Sequence, residues 1–381
     1  MKGITLPAWV LSTLTLMAFG CKKEPSQPNN PTPLEPYYEQ CLFAPGDYGS
    51  ANWRIPAIRV LNDGSMLCFT DKRKYNQGDL PEDIDIVVRR STDQGRTWSE
   101  PFTLAEGTGR KQGFGDCAVV QSADGTVVTA YVGGNGLWQS TEADPDRSYI
   151  QISHDGGLSW EPRRDITAQL WGSTSSRGQN YKGAFFGSGN GLILTKGEHS
   201  GRIMFVTAMV RKTGGNILDN FAVYSDDNGE TWHISQRAYS GGDEAKVVQL
   251  NDGSVLMSIR QSGARGYALS RDGGETWEPQ GRWNDLSTNA CNGDILRYND
   301  SILLHSLPNS MNREKVSIFI SRDEGQSWQL AKQLSTYPSC YSSLSLLPDG
   351  RIVCYLEEDR NSDGNYELYY QCFTLDWLLS E

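Results

Sequence analysis

From residue 37 onward the chain alternates short apolar runs with polar turns, and the runs have the length of strands, not helices. Residues 84–88 (Ile-Asp-Ile-Val-Val), 255–259 (Val-Leu-Met-Ser-Ile) and 316–320 (Val-Ser-Ile-Phe-Ile) are typical, each close to Asp, Asn, Ser or Gly. Five such runs lead into one octapeptide, Ser-x-Asp-x-Gly-x-(Ser/Thr)-Trp, at 91–98, 153–160, 225–232, 270–277 and 321–328. Its aspartate can accept backbone N–H groups, its glycine permits positive φ and its tryptophan can pack, so it predicts a hairpin turn. A second, independent repeat of strand, polar turn and strand has its turns at 62–64, 123–125, 197–201, 251–253, 299–301 and 348–350. Together the two repeats predict six antiparallel units of four strands. Radial closure protects their edges, which makes the expected fold an all-β, six-bladed β-propeller over residues 37–381. The last unit lacks a strand of its own and is expected to borrow one from residues 37–43. A β-sandwich or a parallel β-helix is the alternative, but a unit of nearly sixty residues is too long for one solenoid rung.

The first 36 residues stand apart. Lys2, an apolar stretch over residues 6–19 and Gly20 before Cys21 predict an export signal over 1–20. A membrane anchor is the weaker alternative, because the stretch is short and Pro7 interrupts it. Residues 18–21 resemble a bacterial lipoprotein box, with Phe19 a departure, so Cys21 is the expected lipid-bearing residue of an exported lipoprotein, periplasmic or at the cell surface. Residues 21–36 form a Pro-rich tether. Seven further cysteines include no Cys-x-x-Cys pair, and the four histidines are scattered, so no metal, no cofactor and no regular disulfide framework is expected. A formal charge of -11 argues against nucleic acid as a partner. It leaves room for a small anion held by a local arginine cluster.

Strand order in a propeller blade brings the start of strand one, the end of strand two and the loop into strand three to the same mouth of the axis. The octapeptide turns join strands three and four, at the far end, and are expected to be structural. Arg54, Arg73 and the acidic loop 79–85 of blade one, Asp116 of blade two, Glu244 and Arg260 of blade four, Arg313 of blade five, and Tyr341 and Glu357 of blade six all fall at the first mouth. Any one of these arginines reads most simply as a solvated edge or surface ion pair. Four arginines with carboxylates and a tyrosine at one rim suit bidentate recognition of a carboxylate.

On these residues the chain resembles the bacterial exo-α-sialidases (neuraminidases) of the Asp-box, or BNR-repeat, propeller class, over roughly residue 37 to the C-terminus. Residues 53–56 (Trp-Arg-Ile-Pro) resemble the family's RIP motif, and residues 83–92 its first Asp-box entry. The resemblance implies that Arg54, Arg260 and Arg313 clamp the sugar's carboxylate, with Glu357 orienting Arg54 and Arg73 an auxiliary contact. It implies Tyr341 as nucleophile, Glu244 as the base that activates it, Asp79 as the acid/base and Asp116 as a substrate-facing residue. Trp53, where Tyr or Phe is common, and residues 187–191, where a Pro-Gly pair is frequent, depart from the pattern.

The implied chemistry is retaining hydrolysis of terminal sialic acid through a tyrosyl intermediate, an exception among glycosidases that otherwise use two carboxylates. Sialic acid carries its carboxylate on the reacting carbon, so a neutral phenol approaches without the repulsion that Asp or Glu would meet. Glu244 would take the phenolic proton, and Asp79 would protonate the leaving oxygen and then activate water. Glu82, Asp83 and Asp85 are rivals of Asp79: Asp85 alternates with strand residues, while the other two are set aside only by family spacing. The implied partners are sialylated glycans, and the membrane is met only through the lipid anchor. A trans-sialidase or a noncatalytic sialoglycan-binding propeller is the alternative. Trp138 and Trp171, in long loops, are candidates for the aglycone side, with core packing the other reading.

Overall fold

The computed structural model describes residues 35–380. The expected export signal, Cys21 and most of the tether lie outside the described residues.

Six antiparallel sheets follow one another in chain order. Blade one comprises Asn52–Val60, Met66–Arg73, Ile84–Ser91 and Phe102–Ala105. In blade two the strands are Phe114–Gln121, Val127–Gly134, Asp146–Ser153 and Arg164–Asp165. Blade three is built on Tyr181–Phe186, Ile203–Arg211, Leu218–Ser225 and His233–Ile234, with the short strands Leu192–Ile193 and Tyr239–Ser240 added to the same sheet. Blade four runs Ala245–Gln249, Val255–Ile259, Gly263–Ser270 and Gln280–Thr288, and blade five Asp294–Asn299, Ile302–Pro308, Val316–Ser321 and Gln329–Gln333. Ser339–Leu346, Ile352–Glu358 and Glu367–Phe373 make blade six, and Tyr37–Phe43 adds its outer strand antiparallel to Glu367–Phe373. The borrowed strand therefore joins the two ends of the described chain, and Phe43 seals the joint by packing at 4.3 Å on the fully buried Trp53 of blade one.

The octapeptides form the turns between third and fourth strands. In the first copy Asp93 accepts the backbone N–H of Thr97 at 2.9 Å and its hydroxyl at 2.7 Å, while Trp98 Nε1 donates to Gly95 O at 3.2 Å. The same tryptophan bond recurs for Trp160, Trp232 and Trp277 but not for Trp328, whose buried Nε1 has no partner. Neighbouring blades also bond to these turns, Arg90 donating to Gly156 O at 3.3 Å and Arg202 to Gly273 O at 2.9 Å, which fits a structural role.

The glycine-rich residues 187–191 run beside the innermost strands of other blades. Gly189–Asn190 pairs in parallel with Phe114–Gln121 of blade two, and a Cβ on Gly187 would sit 2.4 Å from Ala245 O of blade four. Only a residue without a side chain fits that gap. Six of the seven described cysteines are buried free thiols; Cys41 is exposed.

Candidate functional site

Five of the six innermost strands shift register, and in blades one, two and six the shift carries a candidate residue. In blade one the pairing steps from Arg54 opposite Asp71 to Ala57 opposite Phe69, with Ile55 at φ +62°. Blade two steps from Gly115 opposite Val132 to Ala118 opposite Ala130, with Asp116 at φ +57°. In blade six the register shifts between Ser339 and Ser342, around Tyr341. A bulge inserts residues into one strand and re-aims their side chains, and Pro56, which cannot donate to a ladder, suits such a position. Arg54 lies inside the strand Asn52–Val60, and Arg73 is the last residue of Met66–Arg73. Glu244 precedes Ala245–Gln249, Arg260 follows Val255–Ile259 and Arg313 precedes Val316–Ser321, as the strand order predicts.

These elements meet at one cavity of about 270 Å³, lined on its charged side by Arg54, Asp79, Glu244, Arg260, Arg313 and Tyr341. Tyr341 stands at its centre. The guanidinium carbons of Arg54, Arg313 and Arg260 lie 5.3, 5.5 and 5.9 Å from the centroid of its ring. Arg260 Nη1 donates to Tyr341 Oη at 2.7 Å and also contacts Glu244, while its Nε faces Asp243 at 3.3 Å. The buried Glu244 thus meets the phenol through a shared guanidinium nitrogen. Burial pushes the Tyr341 phenol well above its ordinary range, and Glu244 adds to this while Arg260 and Arg54 oppose it. The phenol is therefore neutral until its proton is removed.

Arg54 is held by Glu357 through two contacts, Nε to Oε1 at 2.7 Å and Nη2 to Oε2 at 3.1 Å. The fully buried Glu357 also accepts the Ile55 N–H at 2.8 Å and the Cys340 thiol at 2.6 Å. Burial alone would raise the Glu357 carboxyl, but the charge and hydrogen bonds of Arg54 hold it below its ordinary value. Arg313 differs: among the described residues it makes no ion pair and no side-chain hydrogen bond. One guanidinium is thus pinned by protein, one is shared with the phenol and one is left for a ligand.

Asp79 projects from the loop between the second and third strands of blade one, its side chain 85% exposed, with Oδ1 2.6 Å from Arg73 Nη2. Burial of the surrounding wall would raise its carboxyl, but Arg73, Arg54 and Arg313 bring it below its ordinary value. Asp116 lines the cavity and behaves oppositely: burial, then the neighbouring Asp71, Asp79 and Glu244, push its carboxyl well above the ordinary range. The rivals of Asp79 are engaged elsewhere. Asp83 and Asp85 pair with Lys74 at 2.9 and 2.8 Å, Glu82 pairs with Arg110 at 2.9 Å, and none lines the cavity.

Residues 74–354 match the family described as BNR repeat-like domain. The chain belongs to that family. It is 34% identical over 369 residues to a sialidase of Micromonospora viridifaciens, an alignment covering 90% of this chain and 55% of the relative. It is 32% identical to a Clostridium perfringens sialidase over 61% of this chain and 62% of the other. The chain thus spans a little over half the length of these curated relatives. Among solved structures, a Hadza microbial sialidase superposes with TM-score 0.75 at 26% identity, over 89% of this chain and 68% of that one. The intramolecular trans-sialidase of Ruminococcus gnavus, at 18% identity and TM-score 0.73 over 87% and 96% of the two chains, shares the fold.

Around this BNR-family site the structure adds residues that the strand pattern does not single out. Asp71 is buried, lies 3.5 Å from Arg73 and accepts the Asp116 N–H at 3.2 Å. Its position two residues before Arg73, on the same face of one strand, is the available signal. Asp243 lines the cavity beside Glu244, and Tyr366 packs 5.0 Å from the Arg54 guanidinium. Trp138 lines the cavity and is 46% exposed, whereas Trp171 is buried in the core between blades two and three, so its packing role stands and its aglycone role is withdrawn.

Proposed function

We propose that this protein is an exo-α-sialidase, a glycoside hydrolase that releases terminal sialic acid from glycans with retention through a tyrosyl intermediate. The observation that carries the reading is the ring of Arg54, Arg260 and Arg313 within 5.9 Å of the Tyr341 ring centroid, in a cavity sized for a single sugar. Likeness to sialidases over most of the chain supports it.

The sugar's carboxylate binds Arg313 and the free edges of Arg54 and Arg260, which sets the anomeric carbon over Tyr341. Clamping uses charge-assisted, fork-like contacts that lysine would not reproduce. As Tyr341 Oη attacks, its proton passes toward Glu244, and the hydrogen bond already donated by Arg260 stabilises the developing phenolate. Asp79 is ionised in the free enzyme. A bound carboxylate offsets the arginines that hold its affinity for protons down, so substrate itself raises the Asp79 carboxyl toward the protonated form needed by a general acid. After the aglycone departs, the same group activates water.

The test is incubation of the pure protein with a fluorogenic α-sialoside from acidic to neutral pH, beside Tyr341→Phe and Arg260→Ala. Release by wild type and near-complete loss in both variants supports the reading. No release by wild type at any pH removes it, and full activity of Tyr341→Phe removes the mechanism. Mass spectrometry of the product separates hydrolysis, which gives the free acid, from intramolecular transfer, which gives an anhydro sugar.

A further inference from the structure

The axis of the propeller holds a second cavity, of about 220 Å³, at the mouth away from the catalytic residues. First strands start at the catalytic mouth, so residues late in them lie toward the opposite one. Arg59, which lines this rear cavity, follows Arg54 on Asn52–Val60, about 15 Å further along an extended strand. The two cavities share no lining residue. Lys246 and Ser343, each between a front residue and a rear residue on its strand, belong to a buried polar layer that divides them. In that layer Lys246 Nζ donates to Asn292 Oδ1 at 3.0 Å, and Asp294 Oδ2 accepts Asn190 Nδ2 at 3.0 Å and the Leu344 N–H at 2.8 Å.

The wall of the rear cavity is largely apolar, with Leu192 and Ile193 of blade three, Val247 and Val248 of blade four, Ile295 of blade five and Leu344 of blade six. Two of its three cations are engaged by protein. Arg297 pairs with Glu324 at 2.7 Å and donates Nε to Gln249 O at 3.0 Å, and Lys196 Nζ meets Asn251 O and Oδ1, both at 3.3 Å. Arg59 is the exception: among the described residues it makes no ion pair and no side-chain hydrogen bond. Its Nε is buried without a partner, whereas Nη1 and Nη2 are neither bonded nor enclosed and so are open to the cavity. Burial works against its charge, and Asp294, too far away for an ion pair, is the one carboxylate that supports it.

A cation taken from water costs free energy until a counter-charge reaches it. The open fork of a guanidinium matches the two oxygens of a carboxylate. The aliphatic wall beside it favours a hydrocarbon body, and a polyhydroxylated acid would leave its hydroxyls facing Leu, Ile and Val without partners. We propose that the rear axial cavity is a binding site for a small aliphatic monocarboxylate, whose carboxylate is held by Nη1 and Nη2 of Arg59 and whose chain lies against the wall of blades three to six. The assignment holds whatever reaction the front cavity performs.

The test is isothermal titration of the whole protein with sodium butyrate, 1-butanol and sodium formate, in wild type, Arg59→Met, Arg59→Lys and Arg313→Met, with thermal melts to establish folding. Butyrate is expected to bind wild type saturably, and butanol, which lacks the charge, and formate, which lacks the chain, to bind about tenfold more weakly or worse. Arg59→Met is expected to weaken butyrate about tenfold to a hundredfold, and Arg59→Lys to weaken it less. Arg313→Met, altered in the front cavity alone, retains the Arg59-dependent binding. Binding lost in Arg313→Met and kept in Arg59→Met puts the anion among the catalytic arginines and overturns the assignment. So does the absence of saturable binding to wild type, or butanol or formate binding as tightly as butyrate. Should Arg59→Met fail to fold, Arg59→Lys and the three-ligand comparison in wild type decide by the same criteria.

Discussion

Arg260 and Tyr341 are joined by a hydrogen bond of 2.7 Å, and the nitrogen that donates it also contacts Glu244. In the proposed mechanism one guanidinium therefore serves the nucleophile, its base and the substrate's carboxylate. Arg260→Lys keeps the charge but loses the fork, so kcat/KM is expected to fall about 100-fold to 1000-fold, with kcat carrying part of the loss. A purely carboxylate-binding role would show up as raised KM with kcat unchanged. Steady-state kinetics on the α-sialoside distinguishes the two.

Arg313 gives the contrasting case. Having no ion pair and no side-chain hydrogen bond among the described residues, it contributes little to folding. Arg313→Met is expected to leave the thermal midpoint close to that of wild type while raising KM about tenfold to a hundredfold. A melt and a saturation curve on one preparation check both halves.

Glu357 is expected to behave as a structural anion with a defined pH window. Its folded-state carboxyl is held below its ordinary value by Arg54, after burial has worked the other way. Its stabilising contribution is thus fully present above the unfolded value, about pH 4.5, and is lost as pH falls through the folded value. Glu357→Gln leaves Arg54 buried without its counter-charge, with an expected loss of about 3–5 kcal/mol at neutral pH. The gap between variant and wild type should narrow below about pH 4. Chemical denaturation at several pH values measures it.

Asp71 predicts an alkaline limb. Burial raises its carboxyl to about 7 against the pull of Arg73. Below that pH it is neutral and Arg73 is left to Asp79 and the substrate; above it, the new anion competes for Arg73 and adds repulsion to the bound acid. On the α-sialoside, kcat/KM should decline as pH rises through about 7, and Asp71→Asn should move that decline upward. The sign for stability is the same: a folded value above the unfolded one means that wild type loses stability as pH rises from about 4 to 7, and Asp71→Asn does not.

Much of this architecture is legible in the sequence because it repeats. Six strand–turn–strand units and five Asp-x-Gly turns ending in tryptophan define blades by local chemistry alone, and blade order then brings Arg54, Arg73, Asp79, Asp116, Glu244, Arg260, Arg313, Tyr341 and Glu357 to one mouth. What does not repeat stays hidden. The bulges that aim Arg54, Asp116 and Tyr341 insert residues into ladders whose register is fixed only by the neighbouring strand. Asp71 acquires its character from burial among residues far away in the chain, and its place two residues before Arg73 is the one hint beside it in sequence. Trp138 and Trp171 look alike as loop tryptophans, yet one lines the cavity and the other fills the core between two blades.

The proposed covalent role of Tyr341 is tested most directly by trapping. A fluorinated sialosyl donor with a good leaving group slows release of the sugar from the enzyme; after brief incubation the protein is digested and its peptides are examined by mass spectrometry. One added sialosyl unit is expected on Tyr341, absent in Tyr341→Phe and decaying as activity returns. An enzyme that turns over the donor with no adduct, or with the adduct on Glu244 or Asp79, would contradict it.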